Sequence, residues 1–379
     1  MRIRAAVLPH TGAELELATL ELAPPGPAEV LVRLHASGVC HSDQNAIDGT
    51  AATRCPAVLG HEGAGVVEAV GEGVTLVTEG DRVALSWAPY CGVCEQCLRE
   101  LPQLCEAAWP AMDAGGLLDG TTRLSLDGAP VYHYSLLSTF AERAVVPERA
   151  CVRIAADVPF AIAGLVGCAV TTGVCAVWRT AGVRPGDRVA VVGCGGVGLS
   201  AVMGAAAAGA ERIVAVDVSA AKAEAAREFG ATDAVLWAGS PQDTGMAVRE
   251  LSGGGVDHAF EATGRPDAML AAFLSTRNRG QAVLIGIPAE DAVLPLPART
   301  IPRMERRVVG ALYGSARPDR DFPLILDMYR AGQLPLDRLI SHTLPLDRIG
   351  EAFELLRSGT ALRTVIDLTD EGGTAGGAA

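Results

Sequence analysis

Aromatic residues are scarce in this sequence. Phe, Trp and Tyr together make up 4% of 379 residues, so any core has to be built from Ala, Val and Leu. Lysine is rarer still: Lys222 is the only one, and every other fixed cation is an arginine. No basic run offsets the net charge of −13, which argues against a nucleic-acid partner or an anionic membrane surface. The opening residues, Met1 to His10, lack the apolar stretch of a signal peptide. Longer apolar stretches are interrupted by Gly, Arg or Asp before the ~18 residues a membrane span needs. A cytoplasmic chain is therefore expected, in a compartment that keeps thiols reduced. Ten cysteines in that setting point to metal binding more than to disulfides.

What is present begins with those cysteines. Cys91, Cys94, Cys97 and Cys105 follow a C-x2-C-x2-C-x7-C spacing. Four thiolates this close suit a closed tetrahedral zinc site with no open position. A looser set lies outside the quartet: Cys40 in Gly38-Val-Cys-His-Ser-Asp43, His61 and Glu62 in Gly60-His-Glu-Gly63, and Cys168 after Gly167. Two cysteines and a histidine make three ligands, which leave the fourth zinc position to water or substrate. The pattern suggests two Zn²⁺ per chain, one structural and one catalytic.

Length and a 49% hydrophobic composition allow two domains. Up to about residue 169, short alternating runs such as 29–34, 65–70 and 81–85 between Gly/Pro turns predict an irregular antiparallel β unit. Residues 98–139 show little regular pattern and read as a long loop region. From about 170 the pattern becomes strand, helix, strand. Strands are expected at 188–193, 212–217, 233–237, 256–261, 281–286 and 306–310, with helices at 196–209 and 219–229 between the first three. Six strands alternating with helices predict a doubly wound parallel sheet. A helix at 349–357 and a strand at 363–368 follow. The Gly/Ala-rich tail after Asp370 reads as disordered.

Gly193-Cys-Gly195-Gly196-Val197-Gly198 matches G-x-G-x-x-G and stands where it must, after a strand and at the start of a helix. Such a turn brings backbone N–H groups to a dinucleotide pyrophosphate. Asp217 ends the next strand, 19 residues past Gly198. A carboxylate there accepts hydrogen bonds from ribose hydroxyls and repels a 2′-phosphate, which favours NAD over NADP. Lys222, five residues further on, reads as a slim point charge near that ribose.

Taken together, these motifs resemble the zinc-dependent medium-chain alcohol dehydrogenases over nearly the whole of residues 3–368. The resemblance implies a GroES-like β-rich catalytic domain (1–169 and 313–379, with a structural-zinc lobe at about 88–110) and a six-stranded Rossmann domain (170–312). It implies that Cys40, His61 and Cys168 bind the catalytic zinc, that Glu62 lies just behind the metal, and that Asp43 orients His61. It puts His41 and Arg363 near the NAD pyrophosphate and Thr172 at the nicotinamide. Ser42 would take the proton of the alcohol. Asn45 stands where many members carry a relay histidine, and an amide cannot pass a proton on at neutral pH. Trp87 would border the substrate, with Trp109 and Tyr134 lining the outer cleft. The expected activity is hydride transfer between NAD and a medium-sized or aromatic alcohol or aldehyde, in a homodimer or homotetramer. Two alternatives stay open: a zinc-fold reductase of C=C or C=N bonds, and a zinc- and NAD-holding protein without enzymatic activity.

Overall fold

The computed structural model describes residues 1–369, and the tail after Asp370 lies outside them. The chain divides into two compact units. The first comprises Met1–Cys168, Arg317–Leu326 and the described part of Leu336–Ala379, and the second comprises Ala169–Ala316 and Asp327–Pro335.

The first unit is β-rich. Strands Arg2–Leu8, Glu16–Leu22, Leu124–Leu126, Ala129–His133 and Ala57–Val58 close a small barrel. Beside it, Cys151–Arg153, Arg82–Leu85, Glu62–Val70, Glu29–Gly38, Arg363–Asp367 and Ile340–Pro345 line up in that order, with Arg143–Pro147 also paired to Glu29–Gly38. Pairing is antiparallel except where Ala57–Val58 meets Ala129–His133 and where Ile340–Pro345 meets Arg363–Asp367. The long central strand Glu29–Gly38 is buried on both faces for most of its length, which suits its run of Val, Leu and Ala. Small aliphatic side chains dominate the core, as the aromatic scarcity requires. One of its few ring contacts sets Phe140 edge-on to Phe353 at 6.0 Å.

The second unit holds a six-stranded parallel sheet. Its order is Asp233–Leu236, Arg212–Asp217, Arg188–Val192, Val256–Glu261, Thr276–Leu284 and Arg307–Gly310. In chain order this is 3-2-1-4-5-6, the doubly wound dinucleotide-binding arrangement. The register aligns Val192 with both Val216 and Glu261. Gly193 and Asp217 therefore stand level, with Glu261 one residue lower, on the rim where the strand order reverses.

Two sequence expectations are corrected. Residues 98–139 are not simply loop: they contain helix Ala108–Asp113 and strands Leu124–Leu126 and Ala129–His133. These strands are too short to show a period, and they exist because they pair with distant segments, Glu21 with Ser125 and Ala57 with Tyr132. Nor do glycines break every apolar run. Phe160–Ala181 is one 22-residue apolar helix, long enough to span a bilayer by length and composition, yet nearly all of it is buried inside the protein.

Candidate active site

The buried cluster is assembled from three places in the first unit. Cys40 caps helix His41–Asp48 at the end of the central strand. His61 precedes strand Glu62–Val70. Cys168 lies in a wide π-helical turn, Val166–Val170, of the long apolar helix. Such turns interrupt regular helices and recur at functional sites. Gly164 and Gly167 explain how the helix reaches the cluster. A Cβ on Gly164 would meet the Glu62 carbonyl oxygen at 2.8 Å, and one on Gly167 would meet the Leu85 carbonyl oxygen at 2.5 Å. Only bare backbone permits that approach.

Ligand atoms of Cys40, His61, Glu62 and Cys168 all lie within 4.8 Å of one another, and all four residues are buried. Asp43, fully buried, ties the pieces together. Its Oδ2 accepts from the Cys40 backbone N–H at 3.0 Å. Its Oδ1 is 3.2 Å from the Gly60 N–H, which donates to it, and 3.0 Å from His61 Nδ1. With Nδ1 donating to the carboxylate, Nε2 carries the lone pair a metal needs. Although burial alone would lower it, the Asp43 charge holds the His61 imidazole well above its ordinary pKa. A hydrogen bond from Cys168 holds the Cys40 thiol well below its ordinary value, against the opposing push of burial. One thiolate is thus favoured even among the side chains themselves. Burial pushes the Glu62 carboxyl up to about 7 while the charge of Arg363, its buried ion-pair partner, pulls the other way.

The second cluster is local. Cys91, Cys94 and Cys97 are half-buried and Cys105 is buried, with sulfurs again within 4.8 Å of one another. All ten cysteines are free thiols. Cys94 and Cys97 sulfurs are 3.5 Å apart and those of Cys91 and Cys97 4.0 Å apart, beyond any disulfide bond. Backbone N–H groups of Cys91 and Cys94 point at the sulfurs of Cys105 and Cys91, at 3.2 and 3.3 Å. Such donors favour thiolates. Both donor sets fit zinc: four sulfurs close one site, and two sulfurs with an imidazole leave room at the other.

In the second unit, Gly193 adopts a φ of 97° at the end of its strand. A Cβ on Gly198 would overlap the Gly193 carbonyl oxygen, so only glycine lets the helix Gly196–Ala207 start so close to the strand. A Cβ position on Gly195 has nothing within 4 Å, which leaves the turn open to a ligand. Asp217 does more than end its strand. Its Oδ2 accepts from the Cys194 N–H at 2.8 Å and its Oδ1 from the Ser219 N–H at 2.9 Å, which fixes the glycine turn to the neighbouring strand.

Comparison with known proteins agrees with this geometry. A sequence model for the alcohol dehydrogenase GroES-like domain matches residues 26–156, and one for the zinc-binding dehydrogenase domain matches residues 196–331. A solved alcohol dehydrogenase zinc-binding domain protein from Burkholderia ambifaria is 33% identical over 98% of this chain and 100% of its own, with a TM-score of 0.94. Benzyl alcohol dehydrogenase from Acinetobacter calcoaceticus is 33% identical over 97% and 99%, with a TM-score of 0.92. The chain belongs to the zinc-dependent medium-chain alcohol dehydrogenase family.

Not every residue singled out in the sequence of this family member meets the cluster in the same way. Ser42 is close: its Oγ is 3.8 Å from Cys40 Sγ. Asn45 is half-buried on the same helix, and His41 is exposed at its start. Arg363 is 95% buried with its guanidinium on Glu62. Thr172 is buried within the apolar helix. Lys222 donates its backbone N–H to Ser219 Oγ, which caps the helix Ala220–Ala225. Trp87 and Trp109 meet edge to face, centroids 6.4 Å apart at 73°. Tyr134 packs against His61 instead, centroids 5.7 Å apart, and burial pushes its phenol well above the ordinary value, so it stays a donor. Sequence reasoning missed Gly164 and gave Gly167 no role beyond preceding Cys168. Their i, i+3 spacing in an apolar run, next to Cys168, was the available signal.

Proposed function

We propose that this protein is an NAD-dependent alcohol dehydrogenase with two zinc sites, acting on primary or secondary alcohols and the matching carbonyls, with medium-sized or aromatic substrates preferred. The carrying observation is the buried group of Cys40, His61, Glu62 and Cys168, with the imidazole pinned through Nδ1 by Asp43. A scaffold would have no use for a three-ligand set with a vacant position. When bound, zinc supplies Lewis-acid polarisation of the substrate oxygen and NAD⁺ supplies the hydride acceptor.

The chain's own residues do the rest. Cys40, His61 and Cys168 would hold the metal, with the Glu62 carboxylate, kept in place by Arg363, beside them. The quartet Cys91, Cys94, Cys97 and Cys105 holds the second zinc and stabilises the 88–110 lobe. Ser42 takes the proton from the substrate hydroxyl. Asn45 cannot continue that relay by titrating, so water completes it. Gly193 to Gly198 receive the pyrophosphate with His41 and Arg363 as further contacts, the histidine a weaker one than an arginine would be, Asp217 and Lys222 hold the adenosine ribose, and Thr172 meets the nicotinamide. The Trp87–Trp109 pair offers an aromatic wall to substrate, and a relative at 33% identity is a benzyl alcohol dehydrogenase. Strand Arg307–Gly310, last in its sheet, leaves one edge unpaired among the described residues. Edge-to-edge pairing along 308–312 would make the homodimer, or the building block of a homotetramer.

A panel of benzylic and aliphatic alcohols and aldehydes, run on zinc-loaded protein with NAD⁺/NADH and NADP⁺/NADPH, tests this reading. Two zincs per chain and NAD-linked oxidation of a benzylic alcohol support it. Reduction of a conjugated C=C bond that leaves the carbonyl intact overturns it. Asn45→His should raise oxidation near neutral pH by completing the side-chain relay.

A further inference from the structure

Tyr134 is engaged with the cluster more closely than a wall residue needs to be. Its ring stands edge-on to the His61 imidazole at 65°. Its hydroxyl donates to the Ser42 backbone carbonyl at 2.9 Å. One side chain thus touches both the histidine segment and the turn that carries Cys40, Ser42 and Asp43. Phenylalanine would fill the same space, so the hydroxyl is the part that packing does not explain.

The segment that presents Tyr134 is held under strain. Ser135, Leu136 and Ser138 have φ values of 52°, 61° and 59°, the left-handed region that non-glycine residues avoid. Leu137 and Ser138 both donate backbone N–H groups to the Tyr134 carbonyl, at 3.0 and 3.1 Å. The Ser138 hydroxyl accepts from the Tyr134 N–H at 3.2 Å and lies 3.1 Å from His133 Nδ1. Left-handed residues persist where the surroundings over-determine them, and such segments cluster at functional sites.

We propose that Tyr134 is a positioning residue: its hydroxyl fixes the Ser42 turn relative to His61, so that the Ser42 hydroxyl stays beside Cys40. The catalytic consequence rests on the dehydrogenase reading, whereas the tether does not.

Tyr134→Phe keeps the ring and removes the bond. One neutral hydrogen bond corresponds to about fivefold in an equilibrium, so backbone amides of 40–46 should exchange with deuterium about fivefold faster in the variant. Peptides from the strand Arg188–Val192 should not change. In zinc-loaded protein, kcat for benzyl alcohol should fall by a similar factor at constant KM, with its pH profile displaced. With Co²⁺ at the buried cluster, the visible absorption bands should shift. Tyr134→Leu, which also removes the ring, should show larger changes in the same segment. Unchanged exchange at 40–46 in Tyr134→Phe overturns the proposal. Uniformly faster exchange across the first unit also overturns it, because that reports lost packing. If the wild type oxidises no alcohol, the dehydrogenase reading fails, and the exchange measurement still decides the tether.

Discussion

The two cysteine clusters of the first unit show two ways of building a site with similar chemistry. The quartet is drawn from fifteen consecutive positions, 91 to 105, and three of its four members are half-buried. The other cluster draws on positions 40, 61, 62 and 168, and every member is buried. In the first, short chain segments bring the sulfurs together at the margin of a hydrophobic core, with only Cys105 fully inside it, so a metal there would have more of the geometry to hold. In the second, a strand end, a turn and a helix already packed on each other hold the side chains. Asp43 pairs with His61 Nδ1 and with two backbone N–H groups, and Arg363 pairs with one oxygen of Glu62, while Glu62 Oε1 and Arg363 Nε stay buried without hydrogen-bond partners. A local site depends on its ion for folding. A preorganised one can leave its ion free for chemistry.

Single ligand removals should separate the two most sharply. Cys97→Ser should melt the lobe, because structural zinc contributes on the order of 10 kcal/mol to such units; proteolysis within 91–113 and thermal melts would report it. Cys168→Ser should leave the melt nearly unchanged. It should lower zinc from two to one per chain and cut kcat/KM by about 10³-fold, as loss of several kcal/mol of Lewis-acid assistance requires. The contrast breaks if Cys168→Ser unfolds the chain and Cys97→Ser does not. Glu62→Gln tests the burial side. It would leave the Arg363 charge 95% buried without its partner, and denaturant unfolding should show a loss of roughly 3–5 kcal/mol. Asp43→Asn should weaken zinc at the buried cluster by about 10- to 100-fold and leave the quartet's affinity alone, as competition with a chromogenic chelator would show.

The smallest effect lies outside both clusters. His133 is buried, and burial drives its pKa down to about 3 from 6.5. The folded chain refuses a proton that the unfolded chain accepts below 6.5. Its contribution to stability is therefore complete above that pH and declines by about 1.4 kcal/mol per unit as pH falls toward 3. The neutral ring is also in use: His133 Nε2 lies 3.2 Å from the Arg123 backbone N–H, which donates to it. Unfolding free energies from pH 7 to 5 should show this slope in the wild type and a flatter one in His133→Asn.

The sequence alone determined whatever rests on short spacing or on a repeating period. The quartet is a matter of gaps of two and seven intervening residues, and the glycine turn with Asp217 is a matter of one strand, one turn and the next strand. The central parallel strands Arg188–Val192 and Arg212–Asp217 announce themselves as buried runs of Val, Ile and Ala, because both faces of such a sheet are covered. Tertiary structure decided the rest. No local pattern marks Leu124–Leu126 or Ala129–His133 as strands, since pairing partners up to 104 residues away create them. The i, i+3 spacing of Gly164 and Gly167 is visible locally, but not that it lets a helix settle on the Glu62 and Leu85 backbone and deliver Cys168. Nor does any local pattern show that Arg363 lies against Glu62, or that the Tyr134 hydroxyl ends on Ser42, 92 residues back. Contacts across such distances depend on how elements pack, and the energy that fixes them appears only once the whole unit has closed.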